Sequence, residues 1–198
     1  MILLILSITT TRAAFLSLLV PGAGDIALGN KDRGIKFIVA EGLIWAGYGV
    51  YTYLGSDIRK EYLNFAVIKA GANPGRNDET YLDAMEWYRS IDDYNTYIRQ
   101  LARQMYPDTT DTTVLNMRRD FINSHSISDE YSWRWYSEDD FEKYVLLRKR
   151  SRHYLGTATT IASLAIVNRL VSFIMTTYVS ENVSLNISPK GVKFTWRF

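Results

Sequence analysis

Two long apolar stretches enclose a charged middle, and that arrangement limits the fold more than any other feature of the chain. Residues 34–54 form a 21-residue stretch in which only Lys36 and Glu41 are charged. Residues 154–179 form a 26-residue stretch whose one charge is Arg169. A helix crosses the hydrocarbon core of a bilayer with about 20 mostly apolar residues. Between the two, residues 56–152 carry 15 Lys+Arg and 17 Asp+Glu, whereas the other 101 residues carry 8 and 4. The pattern predicts membrane helices on either side of a soluble insert. A buried helix of a soluble protein is the other reading of 34–54, because it passes the same length test.

The flanks carry further marks. Tyr48, Tyr51 and Tyr53 gather at one end of the second apolar segment, as an interfacial aromatic belt does. Gly42, Ala46 and Gly49 fall at helical spacing, a small-residue stripe that lets helix backbones approach in lipid. Arg148, Lys149, Arg150 and Arg152 precede the last segment as a basic juxtamembrane block. The first segment, Met1 to Val20, has Arg12 as its only charge. It reads either as a signal-peptide remnant over residues 1–14 or as half of a membrane helix. With three spans, seven basic residues near the membrane lie on the insert side and six on the other, so charge does not orient the chain.

Within the insert, Tyr94, Tyr97, Ile98, Leu101 and Met105 repeat at i, i+3, i+4, i+7, which predicts an amphipathic helix ended at Pro107. Ser137 before Glu138, Asp139 and Asp140 reads as a helix start, with a hydroxyl cap and acids in the first turn. Residues 70–75 and 108–112 read as loops. In the tail, Val183, Leu185 and Ile187, then Val192, Phe194 and Trp196, alternate around Pro189-Lys-Gly191, which predicts a short β-hairpin. The expected architecture is an all-α membrane protein. Residues 1–54 form a membrane helical hairpin and 55–153 a polar, aromatic-rich helical insert. Residues 154–180 form a third membrane helix and 181–198 a β-hairpin tail.

The most distinctive motif is Ser17-Leu-Leu-Val-Pro21-Gly22-Ala-Gly24-Asp25, followed by Gly29 and Lys31-Asp-Arg-Gly34. It resembles the helical-hairpin signature S-x-x-x-P-G-x-G of uncharacterised bacterial membrane proteins that share a domain of unknown function. Asp25 stands where that signature usually has Gln, and Ile26-Ala27 where it usually has an aromatic pair. The resemblance implies two membrane helices joined by this motif, with Pro21, Gly22, Gly24, Gly29 and Gly34 shaping the joint. It implies no activity. Physically, the proline removes a donor and the glycines allow tight turns. Asn30 to Arg33 is the expected polar turn.

Chemistry-bearing groups are few. The chain has no cysteine, which excludes disulfides, thiolate zinc sites and thiol nucleophiles. The net charge of +2 lacks the basic excess of a nucleic-acid binder. His125 lies near Asp129 and Glu130 without a metal-ligand spacing. Asp92-Asp93 has no nucleophile beside it. Glu41 and Arg169 stand inside apolar segments, where a charge is costly unless paired, and the expectation is an ion pair between the second and third spans. Trp133, Arg134, Trp135 and Tyr136 offer either a docking patch or rings that pack the insert. The chain thus reads as a non-enzymatic protein of the bacterial envelope, inner membrane favoured, that presents its insert to another envelope protein or to itself. One alternative is a transport or channel component with a polar path through Glu41, Arg169, Asn168 and Asp25. The other is a membrane-bound enzyme, for which no catalytic cluster is evident. Neither cofactor nor metal is expected, and the bilayer is the first partner.

Overall fold

The computed structural model describes residues 9–179, 183–188 and 191–196. Expectations placed on residues 1–8, and on Pro189 and Lys190 of the tail turn, lie outside the described residues. The helices are α1 (Thr10–Leu19), α2 (Ala23–Ala27), α3 (Lys31–Ala70), α4 (Glu79–Trp87), α5 (Ile91–Met105), α6 (Thr112–His125) and α7 (Glu138–Ile174). A π turn over Met175–Val179 ends α7, and strands β1 (Val183–Ser188) and β2 (Gly191–Trp196) pair antiparallel. The chain divides into two compact units, residues 1–53 with 154–198, and residues 54–153. Helices α3 and α7 contribute to both. Among the described residues, one helix, within Glu138–Thr177, is long and apolar enough to cross a membrane. The stretch 34–54 in α3 is diluted by Lys36, Glu41 and three tyrosines and does not reach that mark.

In the first unit the joint differs from the expected one. Helix α1 stops at Leu19, and its ten residues rise only about 15 Å. The break falls at Val20-Pro21-Gly22, where Gly22 takes a left-handed φ of 86°. Proline cannot donate to the preceding turn, so the helix ends there. Lys31, Asp32 and Arg33, expected as the turn, instead form the first turn of α3, because Asn30 O accepts from Gly34 N at 3.1 Å. Gly22, Gly24 and Gly34 are required by close approach. A Cβ on Gly22 would lie 2.1 Å from Gly34 O, and one on Gly24 would lie 2.0 Å from Ala13 O. Ser17 ties the joint to the end of α7: its Oγ is 2.9 Å from Thr176 Oγ1 and accepts from Gly24 N at 3.1 Å. Ser172 Oγ accepts from Gly22 N at 2.8 Å.

Along α7 and the π turn that ends it, Leu155, Ala158, Ala162, Ala165, Arg169, Ser172 and Thr176 follow alternating steps of three and four, and all are buried or half-buried. That is the spacing of a helix-pairing seam. Gly47 of α3 faces Ile161, 3.4 Å from where its Cβ would stand, and the Tyr51 and Tyr154 rings meet at 5.9 Å. The stripe Gly42, Ala46 and Gly49 does not serve this contact: it is exposed, and neither glycine has a neighbour within 4 Å of its Cβ position.

In the second unit, Tyr62 and Ala66 of α3, Tyr81, Leu82 and Met85 of α4, Tyr144 of α7, and Trp133 and Trp135 of the preceding segment form the core. Side-chain caps start the helices as the sequence chemistry requires: Asp78 accepts from Tyr81 N, Ser90 from Asp93 N, and Asp111 from Thr113 N. Residues 132–137 run extended. Arg134 N donates to Ala70 O at 2.9 Å, and Trp135 N donates to Arg89 O at 2.8 Å. Asn95 staples Ile127 by accepting from its N and donating to its O.

The joint generates a graded prediction. Gly24→Ala meets backbone at 2.0 Å and should cost well over 1 kcal/mol. Gly29→Ala, at φ 90° in open space, should cost about 1–2 kcal/mol from backbone strain alone. Gly42→Ala, in open space within α3, should be neutral or stabilising by up to about 1 kcal/mol. Unfolding in detergent tests the ranking, and equal losses at positions 24 and 42 would contradict it.

Candidate functional site

Inside the first unit, Glu41 gathers three donors. Its Oε1 accepts from Arg169 Nη2 at 2.7 Å and from Trp45 Nε1 at 2.9 Å. Its Oε2 accepts from Asn168 Nδ2 at 2.9 Å, and the same amide reaches Phe37 O at 3.2 Å. Helix geometry brings these groups together, because Glu41 and Trp45 are four apart on α3 and Asn168 and Arg169 are adjacent on α7. The structure thus joins Glu41 to Arg169. Asp25 does not join them: it is fully buried and paired with Arg33, at 2.5 Å from Nη2 and 2.9 Å from Nε. Among the described residues, three buried side-chain atoms of this unit have no hydrogen-bond partner: Asp25 Oδ2, Thr52 Oγ1 and Arg169 Nε.

The second unit holds a larger ionic cluster that composition does not reveal. Arg148 has no solvent access. Its Nη1 donates to Glu86, and its Nη2 lies 2.7 Å from both Glu79 Oε2 and Asp83 Oδ1. Arg152 holds the other oxygen of Glu86 at 2.7 Å. Burial opposes the Arg148 charge, but hydrogen bonds to Asp83 and Glu79 more than offset it and raise its pKa above the usual arginine value. Arg148 is therefore not part of a solvated juxtamembrane block, and the exposed Arg152 shares its acids. The two arginines are spaced i, i+4 on α7 and meet acids spaced i, i+4, i+7 on α4. Those two spacings were the available signal. Lys149 and Arg150, between them, are exposed.

The aromatic segment resolves by period two. Trp133 and Trp135 are 2% and 6% exposed, and their indole N–H groups donate to Tyr88 O and Met85 O. Arg134 and Tyr136 point outward, so the four residues are not one docking patch: extended backbone sends alternate side chains to opposite faces. A different exposed set results. The Ser90–Arg134 bridge lays residues 87–90 alongside the extended segment, and Trp87 and Tyr136 are 75% and 83% exposed.

Three further acids are in ion pairs, and His125 has an ordinary partner. Asp92 pairs with Arg134 at 2.5 Å, Glu138 pairs with Arg89, and Asp140 lies 3.4 Å from Lys69. The His125 ring stacks on Phe121 at 4.1 Å, and its Nδ1 is 2.8 Å from Phe121 O. Among the described residues, no three of His, Asp or Glu converge as a metal site. The core tyrosines are perturbed too: burial pushes the phenols of Tyr62, Tyr81 and Tyr144 above the usual 10.0.

Two measurements follow from this geometry. Glu41→Ala and Arg169→Ala should each destabilise the protein, and the double change should fall short of their sum by about 1 kcal/mol. Strict additivity would remove the coupling. For the tyrosines, the folded pKa lies above the unfolded one. Stability is therefore unaffected below pH 10.0 and falls as pH rises through the interval between the two. The unfolding midpoint read by tryptophan fluorescence should drop above that pH, and a flat midpoint would contradict the burial of these phenols.

No protein-family model, no curated protein and no solved structure matches this chain.

Proposed function

We propose that this chain is a non-enzymatic membrane protein of the bacterial envelope that offers residues 54–153 to a protein partner. The carrying observation is the apolar exterior of the first unit: Leu19, Leu43 and Ile166 are 74%, 69% and 60% exposed, amid Phe15, Val39, Val50, Val167 and Ile174. An apolar exterior of this kind suits lipid rather than water. In this reading α3 and α7 cross the bilayer, and the broken helix α1–α2 packs beside them. The Gly22–Gly34 approach supports the hairpin that the motif resemblance implies. The partner reading rests on Trp87 and Tyr136, exposed on neighbouring segments with Arg89 and Arg134 beside them, since Trp, Tyr and Arg dominate binding hot spots. The non-enzymatic reading rests on the engagement of Asp92, Glu138, Glu79 and Asp83 in ion pairs.

A second reading has its own observation. The unbonded buried atoms Asp25 Oδ2 and Arg169 Nε suit a polar path in a transport assembly, with Glu41 and Asn168 between them in sequence order. Ion flux through vesicles containing the protein, abolished by Asp25→Asn, would favour it.

The lead reading is tested in intact cells. The protein should stay in the membrane pellet after a carbonate wash. A photo-crosslinker at position 87 or 136 should give one discrete adduct, and one at the exposed Arg119 should not. Release by carbonate would end the membrane reading, and equal crosslinking at all three positions would end the partner reading.

A further inference from the structure

A cleft of about 160 Å³ opens within the unit formed by residues 54–153. Its floor is apolar, from Leu63, Ala66 and Val67 of α3 and Met85 of α4. Polar groups enter at Asn64, Arg76 and Asn77. The loop that carries the last two is fixed before anything binds. Ala72 N donates to Ala66 O at 3.2 Å, Asn73 N donates to Tyr81 Oη at 3.3 Å, and Asn73 Nδ2 donates to Glu130 O at 3.2 Å. Asn73 Oδ1 accepts from Gly75 N at 2.8 Å, and Arg59 holds Asn77 O at 3.2 Å.

Arg76 is the informative residue. Its guanidinium carbon lies 5.3 Å from the Tyr81 ring centroid and 5.0 Å from that of Tyr131. Its Nε donates to Asp78 Oδ2 at 2.8 Å. Asp78 thereby fixes one edge of the guanidinium, and its own carboxyl is held below the usual value chiefly by that hydrogen bond. The two terminal nitrogens donate to nothing among the described residues. That end can receive a carboxylate end-on through two parallel hydrogen bonds. The carboxamides of Asn64 and Asn77 also have no partner among the described residues. A fixed cationic fork and free amide donors thus border an apolar floor, the usual composition of a small-ligand site.

We propose that this cleft binds a small apolar carboxylate, its anionic end on the terminal nitrogens of Arg76 and its aliphatic body on Leu63, Val67 and Met85. The size limits the ligand. The cleft is below the roughly 300–1,000 Å³ of drug-sized sites and holds roughly five water-sized groups. A short branched acid fits, and a long acyl chain does not. The inference does not depend on the proposed partner or on the lipid reading. The same chemistry is offered by a free acid or by a peptide ending in a branched residue.

The test uses the full chain in amphipol, titrated calorimetrically with 4-methylpentanoate, its neutral amide, and acetate. The branched acid should bind at least about tenfold tighter than either control. Val67→Phe fills the floor without touching Arg76 and should abolish the heat. Asn64→Ala should weaken binding severalfold, and Arg76→Gln about tenfold or more. Because Arg76 also touches the cap of α4, the melting temperature of each variant is recorded. If Arg76→Gln fails to fold, Val67→Phe and Asn64→Ala decide. Equal binding of acid and amide, or heat unchanged in Val67→Phe, overturns the proposal. A peptide ending in leucine that binds tighter than 4-methylpentanoate names a protein C-terminus as the source, and weaker binding names the free acid.

Discussion

An arginine side chain without access to water must be neutralised where it stands, and in residues 54–153 that condition organises the packing. A buried guanidinium left unpaired would cost several kcal/mol. Arg148 satisfies the condition only if Glu79, Asp83 and Glu86 all face it, which fixes the rotation of α4 about its own axis. With that rotation set, Tyr81, Leu82 and Met85 lie on the core side of α4. Tyr144, one turn before Arg148 on α7, then reaches Leu82 O, and Tyr62 packs edge-on against it at 5.7 Å. The two buried tryptophans complete the core and satisfy their N–H groups on backbone oxygens near the end of α4.

The other unit meets the same demand with smaller groups. Glu41 takes donors from Arg169, Asn168 and Trp45, so its charge has no need of water. Hydroxyls of Ser17, Ser172 and Thr176 bond across the joint, and Thr176 also bonds back to Ser172 O within its own helix. These groups are short, and they stand where glycines have removed side chains from the opposing backbone. Polar satisfaction and close approach are therefore one requirement here, because a hydroxyl reaches its partner only if the backbones nearly touch.

The loop from Gly71 to Asp78 links the packing of the larger unit to its surface. Its bonds hold Arg76 against two tyrosine rings, and the same bonds keep the cleft open rather than collapsed. Collapse would need the asparagines to turn inward and lose contact with water, at a cost comparable to a lost hydrogen bond each.

The sequence by itself determined the alternation of apolar ends and charged middle, the helix caps, the breaking power of Pro21-Gly22 and the likelihood that Glu41 and Arg169 needed partners. These are local or compositional properties, and each follows from the residue and its near neighbours. The α5 periodicity was legible for the same reason. The Arg148 cluster was not, although the spacings on both helices were present, because a run of four basic residues looks solvated until the partner helix is known. Whether Trp133 to Tyr136 form one surface or pack the insert stayed open in the sequence, and extended backbone splits them between two faces. The position of the first turn, the exposure of the Gly42 stripe and the cleft beside Arg76 were decided only by tertiary structure. Each depends on which distant segment lies opposite, and burial, unlike helix propensity, is a property of pairs of segments rather than of one.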